Sequence, residues 1–150
     1  MKTFHSLDDL EKAVGTHLGY SGWTTVTQHQ IDLFAEATGD RQWIHTDPEK
    51  AARGPYGATI AHGYLTLSLI PGFLDETVRL DGLSMAVNYG SDKVRYPSVV
   101  PVGSRLRGSV ELADLQRTST GARAVFGVTV ERDGGDKPAC VAEVISLLVV

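Results

Sequence analysis

The chain has 150 residues, of which 42% are apolar and 21% are charged, and its formal net charge at pH 7 is −4. These values are typical of one globular domain with one core, so we interpret residues 1–150 as a single domain. The negative charge argues against a nucleic-acid-binding protein, which needs a surplus of Lys and Arg to displace counterions.

The cysteine content and the hydropathy pattern bear on location. Cys140 is the only cysteine and cannot form an intramolecular disulfide, which favours a reducing cytoplasm. The first residues contain no apolar stretch long enough for a signal peptide. The most apolar window, residues 64–74, is too short to span a bilayer. We therefore expect a cytoplasmic protein that makes no membrane contact.

The first third of the chain predicts two helices. Apolar residues at helical spacing indicate a short helix over residues 7–14, and we expect the N-terminal segment 1–22 to be peripheral. Residues 23–26 are β-prone. Thr27 is then a good N-cap for a helix over residues 28–38, which Gly39 ends.

The middle third contains a loop and an apolar helix. Residues 40–46 read as a loop, and Asp47 followed by Pro48 is typical of the start of a short helix that reaches Arg53. Residues 64–74 are apolar nearly all round, which predicts a helix wrapped by other structure. Pro71 and Gly72 should kink or end it near its middle.

The last part of the chain predicts β-structure. Strands are indicated at 83–94, 104–112, 122–130 and 141–150, with turns at 97–103, 116–121 and 133–138. The last strand is continuously apolar, as expected for a central or interface position. The pattern predicts an α+β domain in which an antiparallel meander curls around the apolar helix.

Asp40 and His45 are candidates for acid/base chemistry. On a continuous helix they would point about 140° apart, but a loop can bring both side chains into one pocket. The imidazole changes protonation near neutral pH, and a carboxylate can orient it or share a water with it. Asp40, His45, Asp47 and His62 could also form a metal site, but Asp47 is better explained as an N-cap, and we expect no metal.

Gly63 is a candidate for a second role. A helix that begins near it presents unpaired N–H groups and the positive end of its dipole, which suit a developing oxyanion. Gly63 also has no side chain to obstruct such an approach.

The sequence resembles the MaoC-like dehydratases, which include the R-specific enoyl-CoA hydratases. The resemblance rests on Ala37-Thr38-Gly39-Asp40, Ile44-His45-Thr46-Asp47-Pro48 and Ile60-Ala61-His62-Gly63, and on the segment from Tyr89 to Pro97. It implies a single hot-dog domain, with the antiparallel sheet wrapped around the central apolar helix.

The resemblance also implies a reaction and a set of site residues. Asp40 and His45 match the catalytic pair, and Gly63 matches the backbone oxyanion donor. The implied reaction is addition of water to a trans-2-enoyl-CoA, or the reverse dehydration, without a cofactor. The family commonly has Asn-Pro where this chain has Gln42-Trp43, so Trp43 is expected to narrow the acyl channel. His62 and Tyr64 are expected to support the pocket or bind substrate.

The expected partners are the acyl-CoA substrate and a second copy of the chain, because open strand edges favour a homodimer with the site near its interface. Two other functions remain open at this point. One is a hot-dog acyl-CoA thioesterase, against which residues 64–74 count because they contain no carboxylate. The other is a non-catalytic subunit of a heterodimeric 3-hydroxyacyl-thioester dehydratase, against which the presence of both Asp40 and His45 counts.

Overall fold

The computed structural model describes all residues, 1–150. Its elements in chain order are β1 (Lys2–Phe4), α1 (Leu7–Glu11), β2 (Thr16–Tyr20), β3 (Thr24–Thr25), α2 (Gln28–Thr38), α3 (Trp43–Thr46), α4 (Pro48–Ala52), α5 (Gly63–Ser68), α6 (Ile70–Thr77), β4 (Val78–Leu80), β5 (Met85–Arg95), β6 (Arg105–Thr118), β7 (Gly121–Arg132) and β8 (Cys140–Val149).

The main sheet is antiparallel and has the strand order β2-β6-β7-β8-β5, while β3 also pairs with β6. The four predicted long strands are present, and β8 is central, as its continuous apolar character indicated. The predicted antiparallel meander is present over β6, β7 and β8, but β5 pairs with β8 and not with β6. The connection from β5 leaves the sheet and bonds to the segment before α5, through the Ala61 N–H and the Val100 carbonyl at 2.8 Å.

The predicted apolar helix is divided into α5 and α6. The division falls at Leu69, whereas the sequence indicated Pro71. Pro71 lies in the first turn of α6, where its missing N–H leaves no hydrogen bond unmade. No helix of the structure combines the length and the apolar character needed to cross a membrane.

The core lies between these helices and one face of the sheet. Leu106, Val110 and Leu112 alternate along β6 and are fully buried, as the period-two pattern predicts. On the same strand Gly108 lets α6 approach closely, since a Cβ built there would lie 2.7 Å from Cβ of Phe73.

The N-terminal segment is part of the fold, which corrects the expectation that residues 1–22 are peripheral. Leu10 and Leu18 are 1% and 6% exposed and belong to the main hydrophobic cluster. Strand β2 forms an edge of the main sheet, and β1 pairs in parallel with β4. The helical spacing of a few apolar residues cannot predict that this segment is buried, because the strands that cover it are distant in sequence.

Candidate active site

Asp40 follows directly on the end of α2. Thr27 and Gln30 form a capping box at the start of this helix, and Gly39 ends it in the left-handed region at φ 81°. Asp40 is exposed, and its Oδ1 accepts a hydrogen bond from the Gln42 backbone N–H at 3.4 Å. The carboxylate therefore lies at a helix end that local sequence signals define.

His45 lies on the one-turn helix α3, where the sequence indicated a loop. Its side chain is 6% exposed, and its Nδ1 lies 2.6 Å from the Ile60 carbonyl oxygen. Because a carbonyl oxygen only accepts, Nδ1 must carry the proton, and Nε2 of the neutral ring is the free acceptor. Gln28 holds the backbone of His45 through its Nε2, which donates to the His45 carbonyl at 2.8 Å.

His62 directly precedes α5 and is 2% exposed. Its Nε2 donates to the backbone carbonyl of Asp40 at 2.9 Å, while its buried Nδ1 has no partner. The segment before it is tied to the connection after β5, since the Val102 N–H donates to the Thr59 carbonyl at 2.9 Å. His62 is thus held between that segment and the end of α2.

The structure brings Asp40, His45 and His62 together. One carboxylate oxygen of Asp40 and one ring nitrogen of each histidine lie within 4.8 Å of one another. The rings of His45 and His62 stack, with centroids 3.8 Å apart and planes inclined by 25°. The cluster combines one carboxylate with two buried imidazoles, which is a set of groups suited to moving a proton.

Gly63 begins α5 beside this cluster, and its backbone N–H donates no hydrogen bond within the protein. A Cβ at this position would lie 3.1 Å from two ring carbons of Tyr96. The backbone of Gly63 does not have positive φ, so the close approach of the Tyr96 ring is what requires glycine here.

Trp43 and Tyr64 are the other two predicted site residues, and neither belongs to the cluster of titratable side chains. The Trp43 ring packs against Gly54, and the Lys50 ammonium lies 4.7 Å from its centroid. Tyr64 is 71% exposed. Their expected roles toward substrate stay predictions.

Gln28 and Tyr96 are site residues that sequence reasoning missed. Gln28 joins two segments of the site, since its Oε1 also accepts from the Thr59 hydroxyl at 2.5 Å. A glutamine in the first turn of a helix carries no signal for such a role. Tyr96 could have been suspected from its place in the Tyr89–Pro97 motif.

Burial has a direct effect on His45. It lowers the pKa of the imidazole below its usual value, and the nearby His62 ring lowers it further. The hydrogen bond to Ile60 and the charge of Asp40 oppose this shift, but burial is the largest effect. His45 is therefore neutral at pH 7, with Nε2 able to accept a proton.

The same cluster does not fit a metal ion well. A metal binds an imidazole nitrogen in the plane of the ring, at about 2.0–2.1 Å for zinc. The rings of His45 and His62 are stacked almost in parallel, so their in-plane lone pairs cannot converge on one ion.

Two apolar hollows lie outside this cluster. A cavity of about 240 Å³ lies between α6 and the sheet, and none of the three polar side chains lines it. A second apolar groove of about 290 Å³ is lined by Phe34, whose ring lies 4.9 Å from that of His62. We locate the site by its chemical groups, because volume alone does not identify reacting atoms.

The chain is similar to known proteins over most of its length. The family profile described as "MaoC like domain" matches residues 9–133. The chain is 50% identical over 146 residues to "3-hydroxyacyl-thioester dehydratase Z" of Mycobacterium tuberculosis, with 97% of each chain covered. It is 43% identical to "Nodulation protein N" of Rhizobium leguminosarum bv. viciae, covering 95% of this chain and 91% of that one.

Among solved structures, the unliganded R-hydratase PhaJ1 from Pseudomonas aeruginosa superimposes with a TM-score of 0.77 at 23% identity, covering 96% of this chain and 85% of that one. The predicted hot-dog fold is confirmed by this likeness. The profile match and the dehydratase relative together confirm the predicted class of enzyme. The chain belongs to the MaoC-like dehydratase family and is a hydro-lyase.

Proposed function

We propose that the chain is an R-specific enoyl-CoA hydratase, which adds water to trans-2-enoyl-CoA to give R-3-hydroxyacyl-CoA or catalyses the reverse dehydration. The observation that carries the proposal is the Asp40 carboxylate within 4.8 Å of a buried, neutral imidazole, next to the free N–H of Gly63. The name of the Mycobacterium tuberculosis relative supports a thioester substrate.

The proposed mechanism uses His45 as the base. A water held between Asp40 and His45 gives a proton to Nε2 of His45 while its oxygen bonds to C3 of the substrate. The electron pair of the C2–C3 double bond moves toward the thioester carbonyl. The resulting oxyanion accepts a hydrogen bond from the N–H of Gly63. The proton then passes to C2, the carbonyl re-forms, and His45 is neutral again.

The first test is the hydration of crotonyl-CoA, followed by loss of enoyl absorbance and by chiral analysis of the product. Asp40→Asn and His45→Gln should each lower turnover by about two to four orders of magnitude, the usual range for acid/base groups. The double variant should be scarcely worse than either single one, because residues that act as a unit are not additive.

Two matched controls carry the same chemical changes on the surface. His29 and Asp136 are exposed, so His29→Gln and Asp136→Asn should keep full activity. If Asp40→Asn and His45→Gln stayed folded and nearly fully active, the assigned catalytic pair would be wrong.

The thioesterase alternative needs a separate readout, because the structure weakens one argument against it. Helix α6 extends beyond residue 74 and includes Asp75 and Glu76. Glu76 is engaged, since its Oε2 accepts the Gly22 N–H at 2.8 Å, and neither carboxylate belongs to the histidine cluster. Release of free CoA from crotonyl-CoA would favour the thioesterase, whereas consumption of the alkene with the thioester intact supports the hydratase.

The exposed strand β5 supports a homodimer. It is the last strand of the sheet, and Met85, Val87 and Tyr89 on it are 52%, 40% and 66% exposed. Pairing of β5 with β5 of a second copy would cover this open edge. Sedimentation should give a dimer at micromolar concentration, and Val87→Lys should shift it toward monomer. A monomeric wild-type protein would contradict the proposal.

The buried thiol supports a cytoplasmic location. Cys140 is a free thiol that is fully buried in β8, and the fold does not depend on a disulfide formed in an oxidising compartment. Fractionation of cells that express the chain should recover it with the cytoplasmic enzymes.

A further inference from the structure

His62 makes three contacts, two of which are with the members of the proposed catalytic pair. Its Nε2 donates to the Asp40 carbonyl at 2.9 Å, and one face of its ring stacks on His45. The ring of Phe34 packs against it at a centroid distance of 4.9 Å and an angle of 52°. With a side chain that is 2% exposed, His62 has little freedom to change these contacts.

The hydrogen bond to Asp40 holds a backbone that otherwise has weak restraints. Asp40 is exposed and follows a helix end, and the hydrogen bond from its own N–H to the Thr38 hydroxyl is long, at 3.4 Å. The hydrogen bond from Nε2 of His62, at 2.9 Å, is the one side-chain hydrogen bond that the Asp40 carbonyl accepts. Without this donor, the backbone at Asp40 would be less restrained, and the Asp40 carboxylate would no longer have a fixed direction.

The stack also determines the surroundings of His45. The ring of His62 excludes water from one face of His45, and it disfavours positive charge on His45, which lowers the pKa of that ring. The groups that act on His45 are the Ile60 carbonyl, His62 and Asp40. His62 is therefore placed to influence both the position of the carboxylate and the protonation of the base.

We propose that His62 is a positioning residue that holds Asp40 by its Nε2–H and holds His45 by ring stacking, so that the two act on one water. This inference rests on the proposed hydratase function. It assigns His62 no contact with the reacting atoms. Its tautomer is determined, because a proton on the buried Nδ1 would have no acceptor.

Two substitutions separate the contacts. His62→Phe keeps a stacked ring and removes the donor, whereas His62→Gln keeps an amide donor and removes the ring. We expect His62→Phe to lower kcat by about 10- to 100-fold, since a small misplacement of a catalytic group has effects of this size. His62→Gln should lose less. His29→Gln is the control on an exposed histidine.

The pH profile separates positioning from a merely structural role. Both variants should move the acid limb of kcat/KM to higher pH, because His45 loses a neighbour that disfavours its protonation. A structural role would lower the melting temperature and leave the acid limb in place. Folded variants with an unchanged limb and full activity would overturn the proposal.

One measurement does not depend on activity or on variants. Nitrogen-15 NMR of the wild-type histidines should show the neutral rings protonated at Nδ1 of His45 and at Nε2 of His62. The opposite tautomer at His62 would overturn the inference even in an active enzyme. An inactive wild type with the expected tautomers would instead refute the proposed function.

Discussion

Gly63 and Tyr96 should be coupled sterically, and this can be measured. A methyl group added at Gly63 would lie 3.1, 3.1 and 3.2 Å from three carbons of the Tyr96 ring, whereas favourable carbon contacts lie at about 3.5–4.0 Å. Overpacking of this kind typically costs about 1–3 kcal/mol. Tyr96 is 41% exposed and can move toward solvent, so we expect Gly63→Ala to cost about 1 kcal/mol.

This free energy corresponds to a fall in melting temperature of about 2–4 °C for a chain of this size. Tyr96→Ala removes the ring, so the alanine at position 63 should then be tolerated. In the double variant the penalty for Gly63→Ala should almost vanish, which gives a coupling energy of about 1 kcal/mol. Tyr96→Phe is the matched control, because it keeps the ring and should keep the penalty.

Thermal unfolding and crotonyl-CoA hydration should be measured on the four proteins of the cycle. We expect Gly63→Ala to lower kcat by about 10- to 100-fold, since the added methyl group obstructs the approach of the oxyanion to the N–H. Additive changes in melting temperature would refute the reasoning, because they would show that the Tyr96 ring is not what excludes a side chain at Gly63.

Three other outcomes follow from buried groups. Burial is the largest effect on the pKa of His45, and it lowers this pKa in the folded state, so folding favours the neutral ring. The free energy of unfolding should therefore fall as the pH drops below about 6.5, the pKa of histidine in the unfolded chain. Thermal melts at about pH 7.5 and pH 5.5 should show a smaller difference for His45→Gln than for wild type, and an equal difference would contradict this. Burial raises the pKa of Cys140 to about 11, so native protein should resist iodoacetamide at pH 8 and react only when unfolded, as mass spectrometry can detect. Gly108→Ala places a methyl against Phe73 and should cost about 1–3 kcal/mol in denaturant unfolding, and unchanged stability would contradict the tight contact.

Local signals allowed correct prediction of several elements. Helix α2 begins after its Thr27 cap and ends at Gly39, and α4 begins at Pro48 after Asp47, all as predicted. These boundaries depend on hydrogen bonds between residues three or four positions apart, which the chain makes without help from distant segments. The period-two burial of β6 is equally local in origin.

Only the tertiary structure decided how these elements meet. The stack of His45 on His62, the ring of Tyr96 on Gly63 and the contacts of Gln28 join segments far apart in sequence. The connection after β5 contributes to this arrangement, because it bonds to the segment before α5 instead of leading directly into a neighbouring strand. Side-chain periodicity describes which face of an element is apolar, but it contains no information on which other element will cover that face. For this reason Asp40, His45 and Gly63 could be predicted as candidates from the sequence, while the contacts that hold them in one site are visible only in the tertiary structure.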